Sequence, residues 1–393
     1  MQVGSPEFIA LLVLAVLLFH LRREPAWRAP VLLVANGVFV ASWSPRGWQA
    51  VTLLCLLGAG LAVARAFQTQ SLRGRVALGA VIVAWAAGWY ALQRLREGDS
   101  SAVLVGYSYL MFKHIHVCID AANDDLPPLS VRAWLNYTLN FTSWTSGPIL
   151  RYQAFRGWED APAPTRLEVL AAIDRMLVGC LKAIIVAPWI YPWITPTYFL
   201  ANLGDSGPVR AGMVTAFVFG YYSWIYLNFS GYCDIVIGAT RLFGFTLPEN
   251  FARPWLATNV TDFWRRWHIT LSDWLRDYVF TPSYRGFSRW MPGALAAAPA
   301  YLLTFLVAGL WHGLSAGFAL FGLAHGIAAL AHHFWAIILA RVLSRERLRA
   351  YRQSRVVGVL ALICCQVYVA ATMLIFGWPL SQVRIVLTHV AGW

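Results

Sequence analysis

Apolar positions along this chain gather into long runs bracketed by arginines. The clearest are Phe8–Leu21, Val51–Ala64, Val76–Leu92, Val103–Ile119, Ala211–Phe229, Pro299–Leu310 and Val356–Phe376. Each is nearly free of charge, as a helix must be to cross a hydrocarbon core about 30 Å thick. With the weaker runs included, the pattern predicts an all-α polytopic membrane protein of about ten to twelve transmembrane or re-entrant helices.

Three stretches depart from that pattern. Trp134–Arg156 holds Gly147-Pro148, a helix interruption, and irregular backbone at membrane depth is tolerated only where protein or a watery cavity covers it. Asn250–Arg289 is too polar and too rich in tryptophan to span. Projected at about 100° per residue, residues 261–278 divide into an aromatic sector with Phe263, Trp267 and Trp274 and a charged sector with Asp262, Arg266 and Asp273. That division predicts an amphipathic helix lying at the interface, aromatic face down, with His268 at the seam. In the third stretch, a helix starting near Pro299 runs about 20 Å before His312-Gly313, short of crossing the bilayer, which predicts His312 at depth.

Composition agrees with a bilayer protein: 59% of the 393 residues are hydrophobic and 12% are charged, against about 25% charged in a soluble chain. The net charge of +13 does not indicate a nucleic-acid partner, because the arginines cap apolar runs instead of forming a stripe with exposed aromatics. Phe8–Leu21 has no basic residue before it and Arg22, Arg23 and Arg28 after it, the reverse of a signal peptide. We expect a retained helix with its N-terminus outside. The loop carrying Arg341, Arg345, Arg347, Arg349, Arg352 and Arg355 should face the cytoplasm. No polar or low-complexity stretch separates domains and no repeat recurs, so residues 1–393 read as one membrane-embedded domain. Six cysteines all lie inside apolar runs, with no CxxC pair and no zinc-ligand spacing, so neither a disulfide framework nor a metal is indicated.

An ionisable residue inside a membrane is costly and therefore a functional candidate. Of nine histidines, His20, His332, His333 and His389 fall near segment ends, where an imidazole reaches water or headgroups. His114 and His116, two apart, point to different sides of a helix. His325, in Gly322-Leu-Ala-His-Gly326, lies on the helix after His312 and can line the same cavity. His312 and His268 stand apart, the first between Trp311 and Gly313 at a helix break, the second beside Arg265 and Arg266. A buried neutral imidazole suits proton abstraction from a hydroxyl attacking a thioester, and a narrow membrane site keeps water from that thioester. Metalloprotease HExxH, nucleophile GxSxG and phosphate-loop motifs are absent.

Several ordered segments carry a family resemblance: Ser146–Tyr152, Asn228–Phe245, Pro248–Pro254, Asp262–Tyr278 and Gly309-Leu-Trp-His-Gly313. Together they resemble the membrane-bound O-acyltransferase family over roughly residues 140–330, nearest the bacterial alginate O-acetylation and teichoic-acid D-alanylation type. The resemblance implies a ring of helices around a central tunnel, with His312 as the catalytic histidine and His268 as the second. Trp264, Arg265, Arg266, Trp267, Trp311 and His325 would then contact donor or substrate. It also implies an acyl group, acetyl by default, passing from a cytoplasmic acyl-CoA or acyl-carrier thioester to an extracytoplasmic hydroxyl. That acceptor would be a polysaccharide, reached directly or through a periplasmic acyltransferase partner, with a lipid or protein hydroxyl as the alternative. No bound cofactor is implied; the partners are membrane lipid and the acyl donor, in a bacterial inner membrane. One departure is Val279-Phe-Thr-Pro-Ser-Tyr-Arg-Gly286, where alginate-type enzymes have a Pro-Leu-Gly-Gly-Asn-like loop.

Two other classes fit part of the pattern. A transporter or channel also uses broken helices and intramembrane histidines, but here no two-fold internal repetition accompanies them. A non-catalytic scaffold of a polysaccharide secretion complex would not need the His268 and His312 that this chain keeps.

Overall fold

A computed structural model describes residues 1–43, 47–69, 71, 74–98, 106–123, 125–203 and 207–391. The protein is all-α: 80% is helical and no strand occurs among the described residues. Among the described residues, four helices are long and apolar enough to cross a membrane, Gln49–Gln68, Gly293–His312, Ala316–Val342 and Arg355–Gly377. Shorter apolar helices are Pro6–Leu21, Pro25–Ala41 and Val76–Ala91. The expected run Ala211–Phe229 falls within the long helix Gly207–Arg241, and Val103–Ile119 falls partly in Tyr107–Ala122, its first three residues lying outside the described ones.

The chain forms two compact units, Met1–Leu181 with Gly231–Pro248, and Lys182–Ser230 with Glu249–Trp393. In the first, Gly147-Pro148 sits in an irregular, largely buried stretch that follows the helix Val131–Thr138. Such backbone needs partners from elsewhere. Buried Asn36 supplies one, its Oδ1 accepting from Phe141 N at 2.8 Å. Lys113, also buried, donates from Nζ to the carbonyls of Tyr137 (3.0 Å) and Thr138 (3.2 Å), capping the helix where its dipole is negative. Tyr137 donates from its hydroxyl to Leu150 O at 2.8 Å, and His116 Nε2 accepts from Tyr152 N at 3.3 Å. Lys113 and His116 are therefore spent on holding this loop. His114 stacks on Trp134, ring centroids 4.7 Å apart.

In the second unit, Gly293–His312 and Ala316–Val342 form a tight hairpin. Without a hydrophobic driving force between helices in lipid, close packing depends on small residues. Gly309 and Gly322 provide it: a Cβ on Gly322 would run into the Phe305 carbonyl and come within 3.3 Å of Gly309 Cα. Behind the hairpin, an aromatic core joins Phe263, Trp267, Tyr221, Tyr222 and Phe321 to Val369 and Met373 of Arg355–Gly377. Gln366 ties that helix to the loop before Val260–Arg266, donating from Nε2 to Pro254 O and Ala257 O, each at 3.1 Å.

One expectation is corrected here. The helix that ends at His312 starts at Gly293, not Pro299, and has 20 residues. Gly293-Ala-Leu-Ala-Ala-Ala propagates it, and Pro299 inside it removes only one backbone donor. At about 1.5 Å per residue it is long enough to cross, so helix length gives no reason to place His312 at depth.

The hairpin contact makes a prediction. Gly322→Leu should lower the thermal midpoint of the detergent-solubilised protein, by the roughly 1–3 kcal/mol of an overpacked core, while Gly58→Ala, with nothing within 4 Å of its added Cβ, should not. Equal midpoints for the two variants would dismiss the backbone contact as a source of stability.

Candidate active site

The polar, tryptophan-rich segment is organised by one short pairing. Ala252 N donates to Arg266 O at 2.9 Å and Ile269 N to Asn250 O at 3.0 Å, with Phe251 and Trp267 opposed in antiparallel register. Asn250 is fully buried, and its Oδ1 accepts from both Thr270 N (3.1 Å) and Thr270 Oγ1 (2.7 Å). The chain makes sharp bends beside this pairing, at Arg253 (φ 52°) and His268 (φ 46°), the non-glycine residues with positive φ among those described. For a residue with a Cβ that conformation costs roughly 1–2 kcal/mol, so it persists only where surrounding bonds impose it.

This corrects the expected continuous helix over 261–278. Helices Val260–Arg266 and Ile269–Leu275 are separate, and the turn Arg276–Phe280 is widened to π geometry. The helical period did place Phe263 and Trp267 together, stacked at 5.4 Å. The break at Trp267-His268 comes from the Asn250 bonds, which no periodicity reports.

The bend turns His268 inward. The residue is 3% exposed, its ring edge-on to Phe229 at 4.8 Å and 6.1 Å from Trp311, and its Nδ1 has no hydrogen-bond partner among the described residues. Burial first, then the charge of His312, holds the His268 imidazole well below its ordinary pKa, so it is neutral at pH 7. His312, half-buried at its helix end, lies 4.2 Å from Trp311 and edge-on to Phe376 at 4.6 Å. Trp311 thus touches both imidazoles.

A cavity of about 340 Å³ is lined by Trp264, Arg265, Ser272, Tyr301, Thr304 and Ala308 among others, and not by His268, Trp311 or His312 themselves. Thr304 and Ala308 precede His312 at steps of four, so this wall continues along one helix face to the histidine. The cavity has an apolar side, with Leu275, Phe280 and Phe305, and a charged rim. On that rim Arg276 is engaged by Asp273 (2.6 Å) and Asp277 (2.8 Å). Arg265 is exposed and has no ion pair or hydrogen bond among the described residues.

The residues singled out from sequence therefore separate. Trp264 and Arg265 line the cavity, whereas Arg266 pairs with Asp262 at 2.9 Å and Trp267 is buried in the aromatic core. His325, fully buried, stands behind Trp264: Trp264 Nε1 donates to His325 Nδ1 at 3.2 Å. Its proton is consequently on Nε2, which donates to Thr372 Oγ1 at 2.9 Å, and that hydroxyl passes its own to Val369 O. With both nitrogens committed, His325 orients Trp264. Sequence reasoning missed Tyr301, Thr304 and Thr372. The four-residue spacing back from His312 marks Thr304, but nothing local marks Thr372.

Comparison with known proteins adds the family. The family model described as "MBOAT, membrane-bound O-acyltransferase family" matches residues 45–377. A teichoic acid D-alanyltransferase of Bacillus subtilis is 30% identical over 239 residues, 59% of either chain. A protein of Azotobacter vinelandii named "Probable alginate O-acetylase AlgI" is 27% identical over 348 residues, 83% of this chain and 67% of that one. A peptidoglycan O-acetyltransferase of Helicobacter pylori is 36% identical over 157 residues, 39% of this chain and 28% of its own. The match to the Bacillus protein thus leaves about two fifths of that relative uncovered.

Replacing Asn250 with Ala removes the buried acceptor of the Thr270 N–H and hydroxyl. We expect a loss of about 1–3 kcal/mol, read as a lower thermal midpoint, and a smaller loss for Thr270→Val. An unchanged midpoint in Asn250→Ala would show that the bend at His268 is held by something else.

Proposed function

Because this chain belongs to the membrane-bound O-acyltransferase family, we propose that it transfers an acyl group, acetyl by default, from a thioester donor to a hydroxyl on an extracytoplasmic polysaccharide. The observation that carries the site assignment is that His268 and His312 both lie against one indole, Trp311, with His312 four residues after Ala308 of the 340 Å³ cavity wall. Relatives are named for acyl transfer to alginate, teichoic acid and peptidoglycan, which supports the acceptor class.

In this reading the donor arrives from the cytoplasm as acyl-CoA or an acyl-carrier thioester, and its chain lies along Phe305, Thr304 and Ala308. His312 takes the proton of the acceptor hydroxyl as its oxygen attacks the thioester carbonyl. The C–S bond breaks, the acyl group leaves on oxygen as an ester, and the thiolate collects the proton. His268, neutral and with a free Nδ1, positions the acceptor or the carbonyl. A buried aromatic surround excludes the water that would hydrolyse the thioester. The reaction joins the two faces of a bacterial inner membrane through one membrane-embedded domain, with the N-terminus outside, and a periplasmic acyltransferase can relay the product onward.

The test is transfer of radiolabel from acetyl-CoA into cell-envelope fractions. Native protein should label a polysaccharide fraction, and His312→Ala, shown to insert and fold, should reduce the rate by at least the roughly 10²–10⁴-fold attributed to a general base. Equal labelling by the two would remove His312 from the chemistry; no label with native protein would mean that the donor is not acetyl-CoA.

A further inference from the structure

Between two of the helices long enough to cross a membrane, Ala316–Val342 and Arg355–Gly377, lies the short helix Arg345–Gln353. Serines fix its ends. Ser344 Oγ accepts from Arg347 N at 3.3 Å, and Ser354, which closes this helix, opens the next by accepting from Val357 N at 3.4 Å. Its last turn is tied back to the preceding span, because Trp335 Nε1 donates to Tyr351 Oη at 3.3 Å. The segment is a fixed strut instead of a loose loop.

Exposed apolar side chains run up to this strut from both sides, Ile338 and Val342 on one span and Val356, Val359 and Leu360 on the other. Such surfaces face hydrocarbon, so the edge of the apolar core lies within about a turn of Arg345 and Arg355. The strut therefore sits at headgroup level. Trp335 and Tyr351 stand at that boundary, where amphipathic aromatic rings collect.

Its charge is one-sided. From Arg341 to Arg355 there are six arginines, and Glu346 is the carboxylate that opposes them. These arginines are exposed, and none of them is in an ion pair among the described residues. Arg345, Arg349 and Arg352 stand at i, i+4 and i+7 and so share one face. At about 1.5 Å per residue the outer two are about 10 Å apart along the axis, room for more than one anion. Leu348 and Tyr351, the half-buried residues, mark the side turned to the protein, and Arg347 falls across the helix from the shared face.

We propose that the face formed by Arg345, Arg349 and Arg352 binds the phosphates of anionic phospholipids, each guanidinium offering paired N–H donors to two oxygens of one phosphate. A headgroup with its own ammonium would bring a further cation to a place where cations are already in excess, so lipids without one are selected. Bound headgroups hold the strut at a set depth, and with it the two spans that it joins. The site is independent of the acyl-transfer reading.

Native mass spectrometry of the full-length protein in detergent, titrated with phosphatidylglycerol and phosphatidylcholine of equal chain length, tests this. Native protein should prefer phosphatidylglycerol, and Arg345→Gln/Arg349→Gln/Arg352→Gln should reduce that preference about tenfold or more. Arg347→Gln should keep it, and Arg345→Lys/Arg349→Lys/Arg352→Lys should keep part of it. These exposed substitutions leave the serine caps and the Trp335–Tyr351 bond in place, and thermal midpoints check folding. Phosphatidylglycerol with a photoactivatable headgroup gives a reading that needs no variant: adducts on native protein should map within residues 345–355. Undiminished preference in a folded triple glutamine variant, or adducts confined to other segments, overturns the site. If native protein does not distinguish the two lipids but captures a purified acidic acyl-carrier protein through the same arginines, the face reads a protein and the lipid assignment is overturned.

Discussion

The side chain of Asn250 sets the geometry on which the rest of the site depends. One buried carbonyl oxygen accepts both the amide and the hydroxyl of Thr270, so a helix that its own periodicity would continue is stopped at Trp267-His268. The interruption places Trp267 in the aromatic core while His268 turns toward Trp311. A buried amide whose bonds are satisfied is a strong local constraint, since moving it would leave several polar groups unpaired in a low-dielectric interior. The left-handed backbone at His268 is the strain that this constraint sustains.

Membership in the membrane-bound O-acyltransferase family gives that geometry its meaning. Acyl transfer asks for a neutral base, an excluded solvent and a groove for the donor, and the residues proposed for these roles come from different parts of the unit Lys182–Ser230 with Glu249–Trp393. His312, the proposed base, lies at the tip of a helical hairpin, and Phe229, Trp311 and Phe376 pack around the two imidazoles. The groove forms between the broken helices and the face of Gly293–His312. His325, a natural candidate for chemistry on sequence grounds, instead joins three helices through Trp264 and Thr372.

What was legible in the sequence followed from signals carried by neighbouring residues. Charge-free runs between arginines marked the helices, and the Trp-His-Gly and Trp-Arg-Arg-Trp-His segments marked where to look. The break at His268 depended on Asn250, eighteen positions earlier, and so escaped a helical projection. The length of the helix before His312 was misread because proline was given more power to start a helix than the alanines preceding it had to begin one sooner. The separate fates of Arg265 and Arg266 were not legible either: they stand three and four residues after Asp262, both spacings allow an ion pair on a helix, and the structure pairs Asp262 with Arg266.

The glycine contact within the hairpin has a consequence for life in a changing bilayer. Lipid tails compete with leucine for apolar surface, but they do not compete with two backbones that fit against each other at Gly309 and Gly322. Steric fit of this kind varies little with acyl-chain saturation or bilayer thickness, whereas helices held through bulky apolar faces exchange partners with the surrounding lipid. The hairpin therefore acts as a stiff bracket, and the imidazole at its tip keeps its setting as the membrane around it is remodelled.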